Sequence, residues 1–283
     1  MALALGLVGG SAVADDTGVG QGKCFKGPTG LQLYSLRDML AKEGVDAMLD
    51  KTKALGFKYV EVAGMGKMSP AEFKVALDKR GLVPIGMHFP YERLDKDIEG
   101  VIKDAKALGL PYVGCAWAPH KSPLDEKQCR EIAAVFNKAG EALAKNGITF
   151  YFHNHGYEFV PYGDGTLFDL LMKETKPEYV TFQMDVLWTV FPGQDPVKLL
   201  EKYPNRWSLL HLKDLKKGVP TGSLAGGTDL TNDVTLGTGQ VNWVPLLQAT
   251  QKVGVKYYFI EDESPTVLEQ IPQSLRFLES IAW

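Results

Sequence analysis

The sequence predicts an α/β protein, a single-domain (β/α)₈ TIM barrel, on three observations. Five helix ends share one punctuation, a small or basic residue, then Gly, then an apolar run. They are Ala54-Leu55-Gly56-Phe57, Lys79-Arg80-Gly81-Leu82, Ala107-Leu108-Gly109-Leu110, Lys145-Asn146-Gly147-Ile148 and Lys252-Val253-Gly254-Val255. Glycine tolerates the left-handed conformation that ends a helix, and the apolar run behind it enters a buried sheet. Eight such apolar runs can be counted, near residues 31–34, 58–63, 83–88, 111–116, 148–153, 179–185, 207–212 and 256–261, with helical patterns between them. That alternation is the signature of a repeated β/α unit with a parallel sheet. The 283 residues match one barrel, typically about 250 residues. An open doubly wound sheet ranks second, because Leu31-Gln32-Leu33-Tyr34-Ser35-Leu36-Arg37 holds no glycine for a phosphate to approach.

The segment Met1–Ala14 is apolar, rich in small residues, and closes on Ala12-Val13-Ala14 before the polar Asp15-Asp16. That is the back half of a secretory signal peptide without its basic start. Residues 1–14 are therefore read as a truncated signal and the protein as periplasmic or secreted; if the segment is no signal, the location is cytoplasmic. It is too short for a membrane span of about 20 residues. Residues 15–29, Gly-rich and polar, read as a flexible lead-in, and residues 30–283 as the barrel domain.

Within the barrel, Val45, Met48, Leu49 and Thr52 recur at helical spacing over Asp46–Leu55. Ser69-Pro70-Ala71-Glu72 offers an N-cap, a proline at the first helical position and a capping-box glutamate. Asp125–Ala144 carries Ile132, Val135, Phe136, Ala139 and Leu143 on one stripe, the apolar face of a core-facing helix. Asp169–Lys173, Pro196–Lys202 and Trp243–Lys252 supply later helices. The longest irregular piece, Lys216–Gly239, follows the seventh strand. It reads as an active-site lid or as a disordered insertion.

Composition excludes several classes. With Lys+Arg 31 against Asp+Glu 34, a net charge of -3 and no long basic run, nucleic acid is not an expected partner. Cys24, Cys115 and Cys129 have neither zinc-site spacing nor disulfide density; two buried thiols and one exposed thiol are expected.

Polar residues collect at the C-terminal ends of the strands, where α/β barrels keep their active sites. Strand two gives Glu61, strand three His88, strand four Trp117 and then His120. Strand five gives His153, His155 and Glu158, strand six Asp185, strand seven His211, Lys213 and Asp214, strand eight Glu261. All five histidines lie there. A charge inside an apolar strand is costly unless paired or bound to a metal. Asp185 between Met184 and Val186, His211 within Leu209-Leu210-His211-Leu212 and Glu261 after Tyr257-Tyr258-Phe259-Ile260 are in that position, and a ligand role is favoured over a structural one for each. Lys213 either pairs with Asp214 or holds a substrate oxygen. Trp117 and Trp188 suit a sugar ring or the core equally. Strand parity puts Tyr151, His153 and His155 on one face, Phe150, Phe152 and Asn154 on the other; it does not choose between His153 and Glu158 as a ligand.

The eight units with Leu31-Gln32-Leu33-Tyr34, His153-Asn154-His155-x-x-Glu158-Phe159, Met184-Asp185-x-x-Trp188, His211-Leu212-Lys213-Asp214 and Ile260-Glu261-Asp262-Glu263 resemble the xylose isomerase-like TIM barrels, the sugar phosphate isomerase/epimerase group related to endonuclease IV. The resemblance implies a divalent metal, Mn²⁺ foremost and otherwise Mg²⁺, Co²⁺ or Zn²⁺, held by Glu, Asp, His and Glu from strands five to eight. Asp185, His211 and Glu261 match the last three. Tyr151 or His153 occupies the strand position of the first, and Glu158 just downstream is taken as its substitute. Trp188 stands where several sugar epimerases of the group carry histidine.

The expected reaction is isomerisation or epimerisation of a small-molecule sugar or glycoside. Glu158 or Glu261 takes a proton next to a carbonyl through an enediolate. His88, His153, His155, Lys213, Trp117, Trp188 and Glu61 bind substrate. The same half-reaction followed by loss of a β-substituent makes a dehydratase or lyase, acting on an inosose or a 3-keto-glycoside, and a non-catalytic sugar-binding barrel is the alternative outside enzymes. No membrane partner is expected, and a homo-oligomer stays open.

Overall fold

The computed structural model describes residues 18–283. Eight parallel strands form the sheet: β1 Thr29–Gln32, β2 Tyr59–Val62, β3 Val83–Met87, β4 Tyr112–Cys115, β5 Thr149–His153, β6 Val180–Asp185, β7 Trp207–Leu212 and β8 Tyr257–Ile260. The order is β3-β2-β1-β8-β7-β6-β5-β4. The seam between β3 and β4 is closed by a parallel bridge from His88 to Gly114, with Phe89 N–H donating to the Gly114 carbonyl at 2.8 Å. All eight expected strands are present. The first is displaced: it starts at Thr29, and Leu33–Leu36 form a 3₁₀ turn instead. The cause is local, because the Gln32 side chain accepts Tyr34 N–H and starts the turn.

The five glycines at the expected helix ends all take left-handed backbones, with φ of 90° at Gly56, 66° at Gly81, 70° at Gly109, 74° at Gly147 and 78° at Gly254. Ser69 and Glu72 form the expected reciprocal capping box. Helix α1 spans Arg37–Glu43, α2 Val45–Ala54, α3 Pro70–Asp78, α4 Tyr91–Lys96, α5 Ile98–Leu108, α6 Glu126–Ala144, α7 Leu167–Glu174, α8 Val186–Val190, α9 Pro196–Lys202, α10 Trp243–Val253 and α11 Val267–Ser280. Of α5 only the end at Gly109 was read from the sequence, and α11 was not assigned. Neither has a side-chain N-cap, and α11 carries Pro272 in its interior, so the local start signals are missing and tertiary packing of one apolar face makes the helices.

Outside the sheet, Phe136 of α6 packs on Phe150 and Phe152 of β5 at ring distances of 5.1 and 4.9 Å. Inside it, Ile85, Tyr151, Leu209 and Phe259 form a separate cluster, with Tyr59, Tyr112 and Tyr257 packed against it. Gly114 makes room for Tyr151: a Cβ there would lie 2.3 Å from the phenol ring.

Residues 18–28, part of the expected flexible lead-in, lie against the barrel. Phe25 is fully buried and meets Tyr258 edge-on at 5.0 Å. One aromatic anchor outweighs the glycine-rich composition around it. The signal-peptide reading of residues 1–14 lies outside the described residues. Among the described residues, no helix is long and apolar enough to cross a membrane. Cys115 and Cys129 are buried, and Cys24 is partly exposed.

Candidate active site

The C-terminal ends of the strands converge on a cleft of about 400 Å³. The parity left open for β5 is settled by packing: Phe150 and Phe152 face α6, so Tyr151 and His153 point into the barrel.

Beneath the cleft sits Glu61 of β2, fully buried. Four side chains donate to its carboxylate: Gln32 Nε2 at 2.5 Å, Gln183 Nε2 at 2.8 Å, the Tyr151 hydroxyl, and His211 Nε2 at 2.5 Å. Burial works to raise the Glu61 pKa, but His88 and His211 and the bonds from His211 and Tyr151 outweigh it and hold it at about 2. Glu61 is therefore an anion whose acceptor sites are filled from within the protein.

These bonds fix the imidazoles above. Gln183 donates its amide to Glu61, so its Oε1 faces His153 Nδ1 at 3.0 Å and His88 Nε2 at 3.1 Å. Both histidines must donate to that oxygen, which assigns the proton of His153 to Nδ1. His211 donates Nε2–H to Glu61, which turns Nδ1 toward Glu261 and Asp185; burial opposes charge on the ring, but Glu61 and Glu261 outweigh it and raise its pKa well above the ordinary value. Nδ1 lies 3.1 Å from Glu261 Oε2 and 3.7 Å from Asp185 Oδ2. Asp185 Oδ1 caps α8 by accepting Trp188 N–H, whereas its buried Oδ2 has no hydrogen-bond partner among the described residues. The ligand-type atoms of Asp185, His211 and Glu261 all lie within 4.8 Å of one another. A buried carboxylate oxygen without a donor, beside an imidazole nitrogen and a second carboxylate, is a donor set that fits a divalent cation.

Lys213 rises from β7 into the same cleft and is 2% exposed. Its ammonium lies 3.2 Å from Glu261 Oε2, 2.5 Å from Glu263 Oε1 and 3.8 Å from Asp233 Oδ2, with the Trp188 ring 6.0 Å away. Burial opposes its charge, but Glu261, Asp185, Asp233 and Glu263 overcome that and keep it protonated. The local pair with Asp214 does not form. Successive strand residues face opposite ways, and the Asp214 carboxylate accepts from Gly237 N, Gly239 N, Val241 N and Trp243 Nε1. Asp214 thereby pins the irregular Lys216–Gly239 segment. Asp214–Leu215 pairs antiparallel with Asp233–Val234, and Gly226 to Leu230 line the cleft. The segment is an ordered cover of the site.

Trp117, His155 and Trp188 give the cleft an aromatic wall. The His155 ring lies 5.4 Å from each indole. Trp117 is 48% exposed and Trp188 only 5%, so Trp117 presents a free aromatic surface at the mouth. His88 and His153 also line the cleft.

Two expected roles are corrected. Glu158 does not join Asp185, His211 and Glu261. Both of its oxygens accept His155 N–H, at 3.1 and 3.0 Å, and its side chain does not line the cleft. Burial pushes its pKa up to about 8 against the pull of those bonds, which is the wrong protonation state for a metal ligand or a catalytic base at neutral pH. Its position three residues after His155 makes the carboxyl a cap for its own loop. Glu61 does not line the cleft; it lies under the floor and holds His211. Gln183, Tyr151, Asp233 and Glu263 join the site without a role assigned to them from the sequence. Glu263 stood in the quoted eighth-strand motif without a role, and Asp233 lies in the segment left irregular.

With this geometry in hand, likeness to known proteins can be stated. A family model described as xylose isomerase-like TIM barrel matches residues 49–281. An inosose dehydratase from Clostridium botulinum is 23% identical over 209 residues, 67% of this chain and 70% of that protein. The crystal structure of a sugar phosphate isomerase/epimerase from Parabacteroides distasonis superposes with a TM-score of 0.75 at 25% identity, covering 90% of this chain and 94% of that one. The IOLI protein, solved with a zinc atom bound, shares the fold with a TM-score of 0.68 at 12% identity, covering 89% and 96%.

Proposed function

The chain belongs to the xylose isomerase-like TIM barrel family, and on that premise we propose that it is a divalent-metal-dependent dehydratase or lyase acting on an unphosphorylated polyhydroxy ketone. The observation that carries this reading is the placement of Lys213. One buried ammonium is held by Glu261 and Glu263 at the edge of a three-residue, metal-type donor set.

A divalent metal held by Asp185, His211 and Glu261 would polarise the carbonyl and so acidify the neighbouring C–H. Glu261 and Glu263, both lining the cleft, are the carboxylates available to take that proton. Lys213 holds a proton beside them and donates it to the departing β-hydroxyl, which leaves as water. Trp188 and the ordered Gly226–Leu230 cover keep bulk water away. The Trp117 face takes the apolar side of a sugar ring.

Charge supports the unphosphorylated substrate. Among the described residues, Lys213 is the one Lys or Arg lining the cleft, and Asp229, Asp233, Glu261 and Glu263 line it too. A phosphate would meet more carboxylates than cations. The signal-like residues 1–14 agree with an exported enzyme that meets free sugars or glycosides. The relatives named inosose dehydratase fit elimination. The isomerase/epimerase structures from Parabacteroides distasonis favour a second reading, proton return without elimination.

The test is proton exchange in D₂O, followed by NMR, on inososes and 3-keto sugars with added divalent metal. Exchange with release of water or an aglycone supports the lyase. Exchange with a shifted carbonyl or an inverted carbon centre, and no group lost, supports the isomerase. Absence of exchange across the panel, with unchanged sugar binding in Asp185→Ala and Glu261→Ala, sinks both and leaves a binding barrel.

A further inference from the structure

We infer that His153 is the fourth metal ligand, so that the centre is built from two imidazoles and two carboxylates: His153 Nε2, Asp185 Oδ2, His211 Nδ1 and Glu261 Oε2. This deepens the proposed function and rests on its metal.

Three of these residues each spend one polar atom on the surrounding network and turn the other toward a neighbour in the set. Asp185 Oδ1 accepts Trp188 N–H, and Oδ2 has no hydrogen-bond partner among the described residues. His211 gives Nε2–H to Glu61 and turns Nδ1 toward Glu261 Oε2 at 3.1 Å. His153 gives Nδ1–H to Gln183 Oε1, and Nε2 is left over, 4.0 Å from Asp185 Oδ2. Glu261 Oε2 closes the set at 3.1 Å from His211 Nδ1. Ligand atoms about 2.1 Å from one metal stand roughly 3.4 Å apart at a tetrahedral angle and farther at wider angles; His211 Nδ1 lies 3.1 Å from Glu261 Oε2 and 3.7 Å from Asp185 Oδ2, and His153 Nε2, 4.0 Å from Asp185 Oδ2, stands at the edge of that three-residue set.

The carboxyl outside the strand cannot take this place, because Glu158 caps its own loop. Tyr151 cannot either, because its hydroxyl is bonded to Glu61. His88 is the remaining candidate, with its ligand atom within 4.8 Å of those of His153 and His211. Its Nε2 is bonded to Gln183 Oε1 at 3.1 Å, and the carboxylate it approaches is Glu61, at 3.4 Å, whereas His153 Nε2 approaches Asp185, so His88 belongs to the network beneath the metal.

Gln183 has a stated job in this arrangement. Its amide passes the polarity of Glu61 to His153, as Glu61 itself does to His211. Outer-shell partners of this kind orient the ring and fix the tautomer. Replacing a carboxylate by an imidazole moves a site away from Mg²⁺ and Mn²⁺ toward Zn²⁺ and Co²⁺.

The experiment is calorimetric titration of metal-stripped protein with Zn²⁺ and Mn²⁺, joined to pulsed EPR of the Cu²⁺-loaded protein to count bound imidazoles. Wild type should show two imidazoles. His153→Gln should show one and bind Zn²⁺ more than 100-fold more weakly, beyond the 10–100-fold typical of losing an outer partner. His88→Gln should keep two. His153→Glu should regain affinity and shift the preference toward Mn²⁺, which shows that the site still folds. Two imidazoles in His153→Gln with unchanged Zn²⁺ affinity, or one in His88→Gln, overturns the assignment while leaving the metal-dependent function standing. A wild type that binds no divalent ion overturns that function and this assignment together.

Discussion

His211 of β7 and Glu61 of β2 meet inside the barrel, Nε2 to Oε2 at 2.5 Å, both side chains fully buried. The contact spans most of the sequence and joins the floor of the cleft to its metal-type donors. It sets which nitrogen of His211 faces Glu261 and Asp185, and so the chemistry of the atoms above it depends on a residue that does not line the cleft.

Glu61→Gln should therefore weaken divalent-metal binding by about 10–100-fold without removing a ligand. An amide has one acceptor oxygen where Glu61 now takes four donors, so its NH₂ must oppose one of them, and the melting temperature should fall as well. Calorimetric metal titration measures the first effect and differential scanning calorimetry the second. Unchanged affinity in a folded variant would mean that Glu61 only fills space.

Lys213→Met keeps the length of the side chain and removes the proton donor. If Lys213 protonates the leaving hydroxyl, elimination should fall by about 10²–10⁴-fold, the usual worth of a positioned acid, while solvent exchange of the α-proton continues. NMR in D₂O reads both rates from one sample. Loss of exchange in proportion to elimination would place Lys213 in the first step instead.

Glu158 predicts a pH dependence of stability. Its carboxyl has an ordinary value of 4.5 and is pushed up to about 8 in the fold by burial. Between those values the folded state holds a proton that the unfolded state has released. The group's stabilising contribution is thus complete below pH 4.5 and is lost as pH rises through 8, at about 1.4 kcal/mol per pH unit. Glu158→Gln keeps an acceptor for His155 N–H and cannot ionise. Melting temperatures of the two proteins at pH 5, 6.5 and 8 should converge at the acid end and separate at the alkaline end, with the variant the more stable. Parallel profiles would show that the carboxyl titrates normally.

The sequence made some of this site readable for a physical reason. Asp185, His211 and Glu261 interrupt apolar strands at their C-terminal ends, a costly arrangement that demands a partner. Glu61 has the same signature, but a pattern does not tell which layer of a barrel a strand residue occupies, so a floor residue was taken for a wall residue. Gln183 and Tyr151 carry little signal, since a neutral amide or phenol on a strand is ordinary. Asp233 comes from a segment whose fold depends on the bonds to Asp214, and no period in the sequence announces those. Glu158 was expected as a ligand because a carboxylate after two histidines fits both a ligand and a loop cap; only its bonds to His155 N–H show the cap.

The cover over the cleft hangs on Asp214, and Asp214→Ala should release it. The carboxylate accepts four donors from Gly237, Gly239, Val241 and Trp243, all of them on the chain that returns from the cover. Removing it leaves those groups to water or unpaired, at about 1–3 kcal/mol for each that stays buried. Neither the metal-type donors nor Lys213 bonds to Asp214, so metal affinity should hold within a few-fold. KM should rise and limited proteolysis within residues 216–239 should accelerate, because Gly226–Leu230 would no longer be held at the mouth. Gly239→Ala probes the same anchor from the other side: its Cβ would stand 2.2 Å from Asp214 Oδ1 and 2.4 Å from the Leu215 carbonyl. The two single variants and their double should show effects well short of additive, since each breaks the same set of bonds. Strict additivity would mean that the cover is held elsewhere.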